Sequence, residues 1–213
     1  MIVIFDLDGT LLHTIDDLAA AANASLAANG YPARTLSECQ RFVGNGIGKL
    51  LERALPQGAQ TPQNVEKLRP AFLAYYDAHL TDFTRPYAGI EELLKNLCAR
   101  GIKLAVASNK YQRATEKLIT HFFADIPFAA VLGQRDHVPS KPDAHVVREI
   151  LALSHETRET CWYVGDSQVD MQTAKNAHVR VCAVTWGFRT KEELAVYAPD
   201  FYADTPADIL HLI

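Results

Sequence analysis

Five short apolar runs punctuate the chain: IVIF at 2–5, KLAVAS at 103–108, FAAVLG at 128–133, CWYVG at 161–165 and VRVCAVT at 179–185. The centre of each is continuously apolar rather than alternating, and each is too short for a helix. That pattern predicts strands covered on both faces. Helical spacing fills the gaps. Ile90, Leu93, Leu94 and Leu97 share a face, with Gly101 as a stop, and Leu118, Ile119 and Phe122 mark a second helix. Pro142 opens the first turn of a third, followed by Val146, Val147, Ile150 and Leu151. Strand and helix in alternation predict an α/β fold: a Rossmann-like parallel sheet with helices on both faces.

Residues 13–83 break the alternation and carry no strand pattern. TIDDLAAAANASLAANG (14–30) reads as a helix with Thr14 as N-cap, acids in the first turn and Gly30 at its end. GKLLERAL (48–55) reads as a second helix. A third starts at Thr61 and Pro62 and aligns Val65, Leu68, Phe72 and Tyr76, with Pro70 expected to kink or split it. The expected organisation is a core of residues 1–12 and 84–213 with an all-helical cap, residues 13–83, inserted after the first strand.

Composition narrows the class. The 213 residues are 48% hydrophobic and 22% charged, the balance of a folded globular protein rather than a disordered one. A net charge of −4 gives no broad attraction to nucleic acid or anionic lipid. No apolar run reaches the roughly 20 residues of a membrane span, and MIVIF meets Asp6 too early for a secretory leader. Cys39, Cys98, Cys161 and Cys182 form no C-x-x-C pair, so reduced thiols and a cytoplasmic location are expected.

In an open α/β sheet, ligands bind beyond the carboxyl ends of the strands. The first strand delivers Asp6 and Asp8 there. The second delivers Ser108, Asn109 and Lys110, and the fourth delivers Gly165, Asp166, Ser167 and then Asp170. The loop after the third, GQRDHVPSKPD, carries Lys141. Clustered carboxylates repel one another unless a cation compensates. Asp6 and Asp166 fit Mg²⁺, a hard cation that prefers oxygen; Asp170 either joins them or is a first-turn helix acid. Ser108, Asn109 and Lys141 are residue types that hold phosphate oxygens. The predicted chemistry is phosphoryl transfer.

DLDGT at 6–10, SN at 108–109, Lys141 and GDSQVD at 165–170 resemble, in order, the motifs of the haloacid dehalogenase-like superfamily. The resemblance covers the whole chain, helical insert included. It implies that Asp6 is a nucleophile forming an aspartyl-phosphate. It implies that Asp8 protonates the leaving oxygen and then activates water, its backbone carbonyl touching Mg²⁺. Thr10 would support the turn, Ser108 and Asn109 bind the transferring group, and Lys141 neutralise charge on Asp6 and the phosphoryl group. Asp166 would ligate Mg²⁺, and Asp170 would ligate it through water or orient its partners. Dehalogenases of the superfamily carry no aspartate at the position of Asp8, so its presence implies phosphate chemistry.

Within the superfamily, LLHTIDDL (11–18), FVGNGIGKLLERAL (42–55) and WGFRTKEEL (186–194) resemble the phosphoglycolate phosphatase family. His13 and Thr14 depart from the aspartate and serine more usual there. The resemblance implies a small phosphorylated metabolite as substrate, with 2-phosphoglycolate leading, acted on by a monomer or homodimer. Sugar phosphates, nucleotides, pyrophosphate and a phosphomutase reaction like that of β-phosphoglucomutase are the alternatives. GNGIG (44–48) has the wrong spacing for a dinucleotide fingerprint. It is either a plain loop and helix start, or a segment whose Asn45 and Gly46 face substrate when the cap closes. Lys49 and Arg53 are either solvated helix charges or a grip for a substrate carboxylate.

Overall fold

The structure, a computed structural model, describes residues 1–213. Strand β1 (Ile2–Phe5) and the two-residue β2 (Leu12–His13) open the chain. Helices α1 (Ile15–Ala28), α2 (Leu36–Phe42), α3 (Gly46–Ala54) and α4 (Pro62–His79) follow, then β3 (Arg85–Pro86), which pairs with β2. Next come α5 (Ile90–Ala99), β4 (Lys103–Tyr111), α6 (Gln112–Phe122), β5 (Phe128–Gln134) and α7 (His145–Ser154). The chain finishes with β6 (Cys161–Gly165), α8 (Gln168–Ala177), β7 (Arg180–Val184), α9 (Lys191–Ala195), β8 (Phe201–Ala203) and α10 (Pro206–Leu212). Two compact units result: Met1–His13 with Pro86–Ile213, and Thr14–Arg85. No helix is long and apolar enough to cross a membrane.

The first unit is built on a six-stranded sheet, β5-β4-β1-β6-β7-β8, in which every pairing is parallel. β1 sits between β4 and β6, with Phe5 level with Val106 and Val164. All four β1 residues are fully buried, so the unbroken apolar run has its cause in a sheet covered on both faces. Burying such side chains contributes about 1.5–3 kcal/mol each. On one face Ile2, Ile4, Ala105 and Tyr163 pack with Val147 and Ile150 of α7 and Met171 of α8. After β1 the chain builds outward through β4 and β5, then returns to the other side of β1 for β6, β7 and β8. The order reverses beside β1, and the crevice of such a sheet opens at that reversal.

In the second unit α1 packs on α4. Leu18, Ala22 and Leu26 are buried on the first helix, Val65, Leu68, Phe72 and Tyr76 on the second, and the Phe72 and Tyr76 rings stack at 5.6 Å. Ser25 Oγ donates to the Leu68 carbonyl at 2.7 Å. Asp17 is 2% exposed and receives the Phe83 and Thr84 N–H groups and the Thr84 hydroxyl, so this first-turn acid anchors the far end of the unit.

Several sequence expectations change here. Thr14 precedes α1, but its backbone lies near the helical region and its hydroxyl makes no capping bond. Pro70 does not split α4: one missing N–H costs less than its four buried apolar residues return. Pro142 lies in the loop before α7 instead of its first turn, joined to Lys141 by a cis peptide bond. β4 runs three residues past Ser108. α2, α9, β8 and α10 carry no expectation from the sequence because each is short: seven, five, three and seven residues.

Candidate active site

Asp6 follows directly on β1, its N–H donating to the Val164 carbonyl at 2.9 Å. The chain then folds back, and the N–H groups of Thr10, Leu11 and Leu12 all point to the Leu7 carbonyl, at 3.3, 3.1 and 3.0 Å. Gly9 makes this turn with φ of 86°, and a Cβ there would lie 2.3 Å from Asp166 Oδ2. Glycine is therefore required both for the left-handed backbone and for the close approach of the two strand ends.

Lys141 stands at the centre of the cluster, 4% exposed. Its Nζ lies 2.9 Å from Asp6 Oδ1, 2.8 Å from Asp170 Oδ1, 2.9 Å from the Ala107 carbonyl and 3.1 Å from the Tyr163 hydroxyl. An ammonium has three protons to donate, so these four oxygens saturate it. Burial opposes its charge, but Asp170 and Asp6 more than compensate and hold its pKa well above the ordinary lysine value. The side-chain amide of Asn109 brackets the Lys141 backbone, accepting from its N–H at 2.9 Å and donating to its carbonyl at 3.0 Å.

Asp170 occupies the first turn of α8 and is fully buried. Its Oδ2 accepts from the Ser167 N–H at 3.1 Å and hydroxyl at 2.6 Å, closing a capping box. Its Oδ1 accepts from Lys141 and from the Tyr163 hydroxyl at 3.2 Å. One carboxylate thus starts a helix with one oxygen and faces the acid cluster with the other. Asp166 Oδ1 accepts from the Thr10 hydroxyl at 3.1 Å and Oδ2 from the Phe188 N–H at 2.7 Å.

Oxygens of Asp6, Asp166 and Asp170 all lie within 4.8 Å of one another. Burial, reinforced by Asp170, raises Asp6 well above the usual carboxylate range against the pull of Lys141. Burial and Asp170 likewise push Asp166 up to about 7. One ammonium among three buried acids leaves a deficit of positive charge. A set of hard oxygen donors in that condition fits a divalent cation.

Asp8 is placed beside this cluster, 3.2 Å from the ammonium of Lys110. Ser108, Asn109 and Lys110 are all buried at the end of β4, and Ser108 Oγ accepts from the Lys110 N–H at 3.2 Å. In the second unit, Arg53 donates to the Phe42 carbonyl at 2.7 Å and to Asn45 Oδ1 at 2.9 Å, tying α3 to the end of α2 and to the loop between them. Gly46 is the first residue of α3, and Lys49 pairs with Glu52 on its exposed face.

Sequence reasoning missed two contributors. Tyr163 reads as an apolar strand residue, although a tyrosine inside a buried strand needs a partner for its hydroxyl, and that need is the available signal. The Phe188 N–H acts through its backbone, which no residue pattern announces.

Three strand ends, one saturated lysine and a cation-hungry acid cluster define a phosphoryl-processing hydrolase of the α/β class. The chain belongs to the haloacid dehalogenase-like hydrolase family, whose model matches residues 3–184, and it is a phosphoric monoester hydrolase. It is 35% identical over 189 residues to a phosphoglycolate phosphatase of Cereibacter sphaeroides, covering 88% of this chain and 86% of that one. It is 34% identical over 219 residues to a phosphoglycolate phosphatase of Vibrio vulnificus, covering 100% and 95%. A crystal structure from Lactobacillus delbrueckii subsp. bulgaricus, assigned as a phosphoglycolate phosphatase, superposes with a TM-score of 0.94 at 31% identity, covering 100% and 97%.

Proposed function

We propose that this protein hydrolyses 2-phosphoglycolate to glycolate and phosphate with the help of Mg²⁺, through an aspartyl-phosphate on Asp6. The observation that carries the reading is Asp6 itself: a strand-end carboxylate, 2.9 Å from a buried ammonium, two residues ahead of a second acid. Lys141 fixes one Asp6 oxygen and offers positive charge where a phosphoryl group would gain negative charge. Asp6 and Asp166, with the Asp8 backbone carbonyl, would hold Mg²⁺, which when bound supplies charge neutralisation for a phosphate oxygen. Ser108 binds the phosphoryl group at the end of β4. Asn109 serves the same end by setting the backbone from which Lys141 reaches in. Asp8 gives a proton to the leaving alkoxide, then takes one from the water that attacks the phospho-enzyme. Asp170 keeps Lys141 oriented rather than touching substrate. The choice of 2-phosphoglycolate is supported by the names of the relatives at 34–35% identity.

A panel of phosphorylated metabolites, assayed for phosphate release with Mg²⁺ and again after chelation, tests the reading. 2-Phosphoglycolate should exceed sugar phosphates, nucleotides and pyrophosphate in kcat/KM, and chelation should abolish turnover. Equal turnover of many esters removes the assigned substrate. Isomerised sugar phosphate in place of free phosphate replaces hydrolysis with a mutase reaction.

A further inference from the structure

We propose that Lys110 is a positioning residue for Asp8, fixing which oxygen of that carboxyl delivers the proton to the leaving group. The inference rests on the reading of Asp8 as the acid and adds a residue to it. The sheet itself aims Lys110. Ala107 pairs with Leu132 and Tyr111 with Gln134, so Ser108, Asn109 and Lys110 together face the single residue Gly133. Such a bulge breaks the in-and-out alternation of a strand and re-aims its side chains. Three consecutive polar residues are buried here as a result, at 5%, 7% and 6% exposure.

The bulge is held at several points. The Lys110 N–H donates to Ser108 Oγ at 3.2 Å, and its carbonyl accepts from Thr115 Oγ1 at 3.2 Å. A Cβ on Gly133 would lie 2.6 Å from that carbonyl, so only glycine lets β5 press against it. From this fixed backbone the Lys110 ammonium stands 3.2 Å from Asp8 Oδ1, with the two side chains 3% and 14% exposed. That oxygen is itself buried and has no donor in hydrogen-bond geometry. The contact is therefore charge on charge, in surroundings where such attraction is strong.

The chemical consequence follows from what an ammonium lacks. It has no lone pair, so a proton that Asp8 delivers as the acid would leave from the other carboxyl oxygen, not the one in contact with Lys110. In the first half-reaction an Asp6 oxygen bonds to phosphorus and the bond from phosphorus to the leaving oxygen breaks. The electron pair left on that oxygen takes the proton from the Asp8 carboxyl, and Asp8 becomes a carboxylate. The new negative charge forms next to Lys110, which requires no reorganisation to meet it.

The test compares two esters in the full chain with Mg²⁺: 2-phosphoglycolate, whose alkoxide must be protonated, and p-nitrophenyl phosphate, whose phenolate departs without a proton. The quantity read is kcat/KM, which covers events only up to formation of the phospho-enzyme. Lys110→Met should lose on the order of 10- to 100-fold more on the alkyl ester than on the aryl one, and Asp8→Asn should show the same bias. Lys110→Arg should recover part of it. Equal losses on both esters, or none on either, overturn the proposal; equal losses would make Lys110 a phosphoryl-binding residue. If Asp8→Asn is biased and Lys110→Met is not, only the role of Lys110 falls. If Asp8→Asn shows no bias, the acid assignment of Asp8 falls and the proposal with it. Circular dichroism checks folding, and Lys110→Gln carries the same comparison should the methionine variant fail to fold.

Discussion

Removing the charge of Lys141 tests the electrostatic account of the site without needing a substrate. In Lys141→Met, Asp6 and Asp170, both buried, lose a counter-charge at 2.9 and 2.8 Å. Breaking one side of a buried ion cluster costs about 3–5 kcal/mol. For a chain of this length each kcal/mol moves Tm by about 2–4 °C, so a fall of about 6–20 °C is expected in metal-free buffer near pH 8. The pH dependence has a definite sign. Asp6 already sits well above its ordinary value in the folded protein, with the Lys141 ammonium pulling it down. Without that charge its folded pKa rises further, so the folded state holds a proton the unfolded chain would release. Stability then falls as pH rises through that window. The gap between variant and wild type should widen with pH only above the wild type's own raised Asp6 value, since below it both folded states hold the proton. Mg²⁺ should restore more of the variant's Tm than of the wild type's, since it meets the same deficit of positive charge. Thermal melts at three pH values, with and without Mg²⁺, are sufficient. A variant that melts within about 2 °C of wild type at pH 8 without metal, or a gap independent of pH, refutes the reasoning.

Other perturbations probe separate links. Asp6→Asn should abolish phosphate release while leaving circular dichroism unchanged, and turnover near the wild-type level would remove Asp6 as nucleophile. Tyr163→Phe deletes only the hydroxyl shared by Lys141 and Asp170, so a loss of about 1.5–3 kcal/mol is expected in chemical denaturation. A change below about 0.5 kcal/mol would show that the hydroxyl is incidental. Glu156 receives Lys103 and the Met1 amino group, each at 2.9 Å, and Lys103 leads in lowering its pKa from 4.5 to about 2. That stabilisation is present above pH 4.5 and lost as pH falls towards 2, so Glu156→Gln should cost about 1–2 kcal/mol at pH 7 and progressively less on acidification. A penalty constant across that range counts against the ion pair.

What the sequence discloses depends on how local the cause is. The five apolar runs mark strands because a sheet buried on both faces leaves a signal in each segment separately. Asp6 and Asp166 stand out for a similar reason, as polar residues at the ends of such runs, whereas Lys141 lies in the loop after β5 and is marked instead by the family resemblance. β8 escapes notice because three residues carry no period, and its place at the sheet edge is set by pairing with β7 rather than by its own composition. Thr14 misleads because a capping residue type says nothing about the φ and ψ that capping needs. Asp17 reads as a helix acid, yet its role lies 66 and 67 residues away, at Phe83 and Thr84. The bulge at Ser108, Asn109 and Lys110 depends on the partner strand, and no property of either strand alone reveals it.

Lys141 also shows why four motifs must act as one. It follows β5, the edge strand, while Asp6 follows β1, and β4 lies between them. To reach Asp6, the loop after β5 must pass over the end of β4. Two contacts mark that crossing: the Asn109 amide grips the Lys141 backbone, and the Ala107 carbonyl accepts from its ammonium. On the far side Asp170 and Tyr163, borne by α8 and β6, complete the cage. In the proposed reaction Asn109 acts in large part through Lys141, and losses from the two residues should not add. Asn109→Ala is expected to lower kcat/KM in the wild type but to have little further effect in Lys141→Met, a coupling of about 0.5–3 kcal/mol in a double-mutant cycle. Full additivity would mean that Asn109 acts on the phosphoryl group independently, and that the bracket around Lys141 is dispensable to turnover.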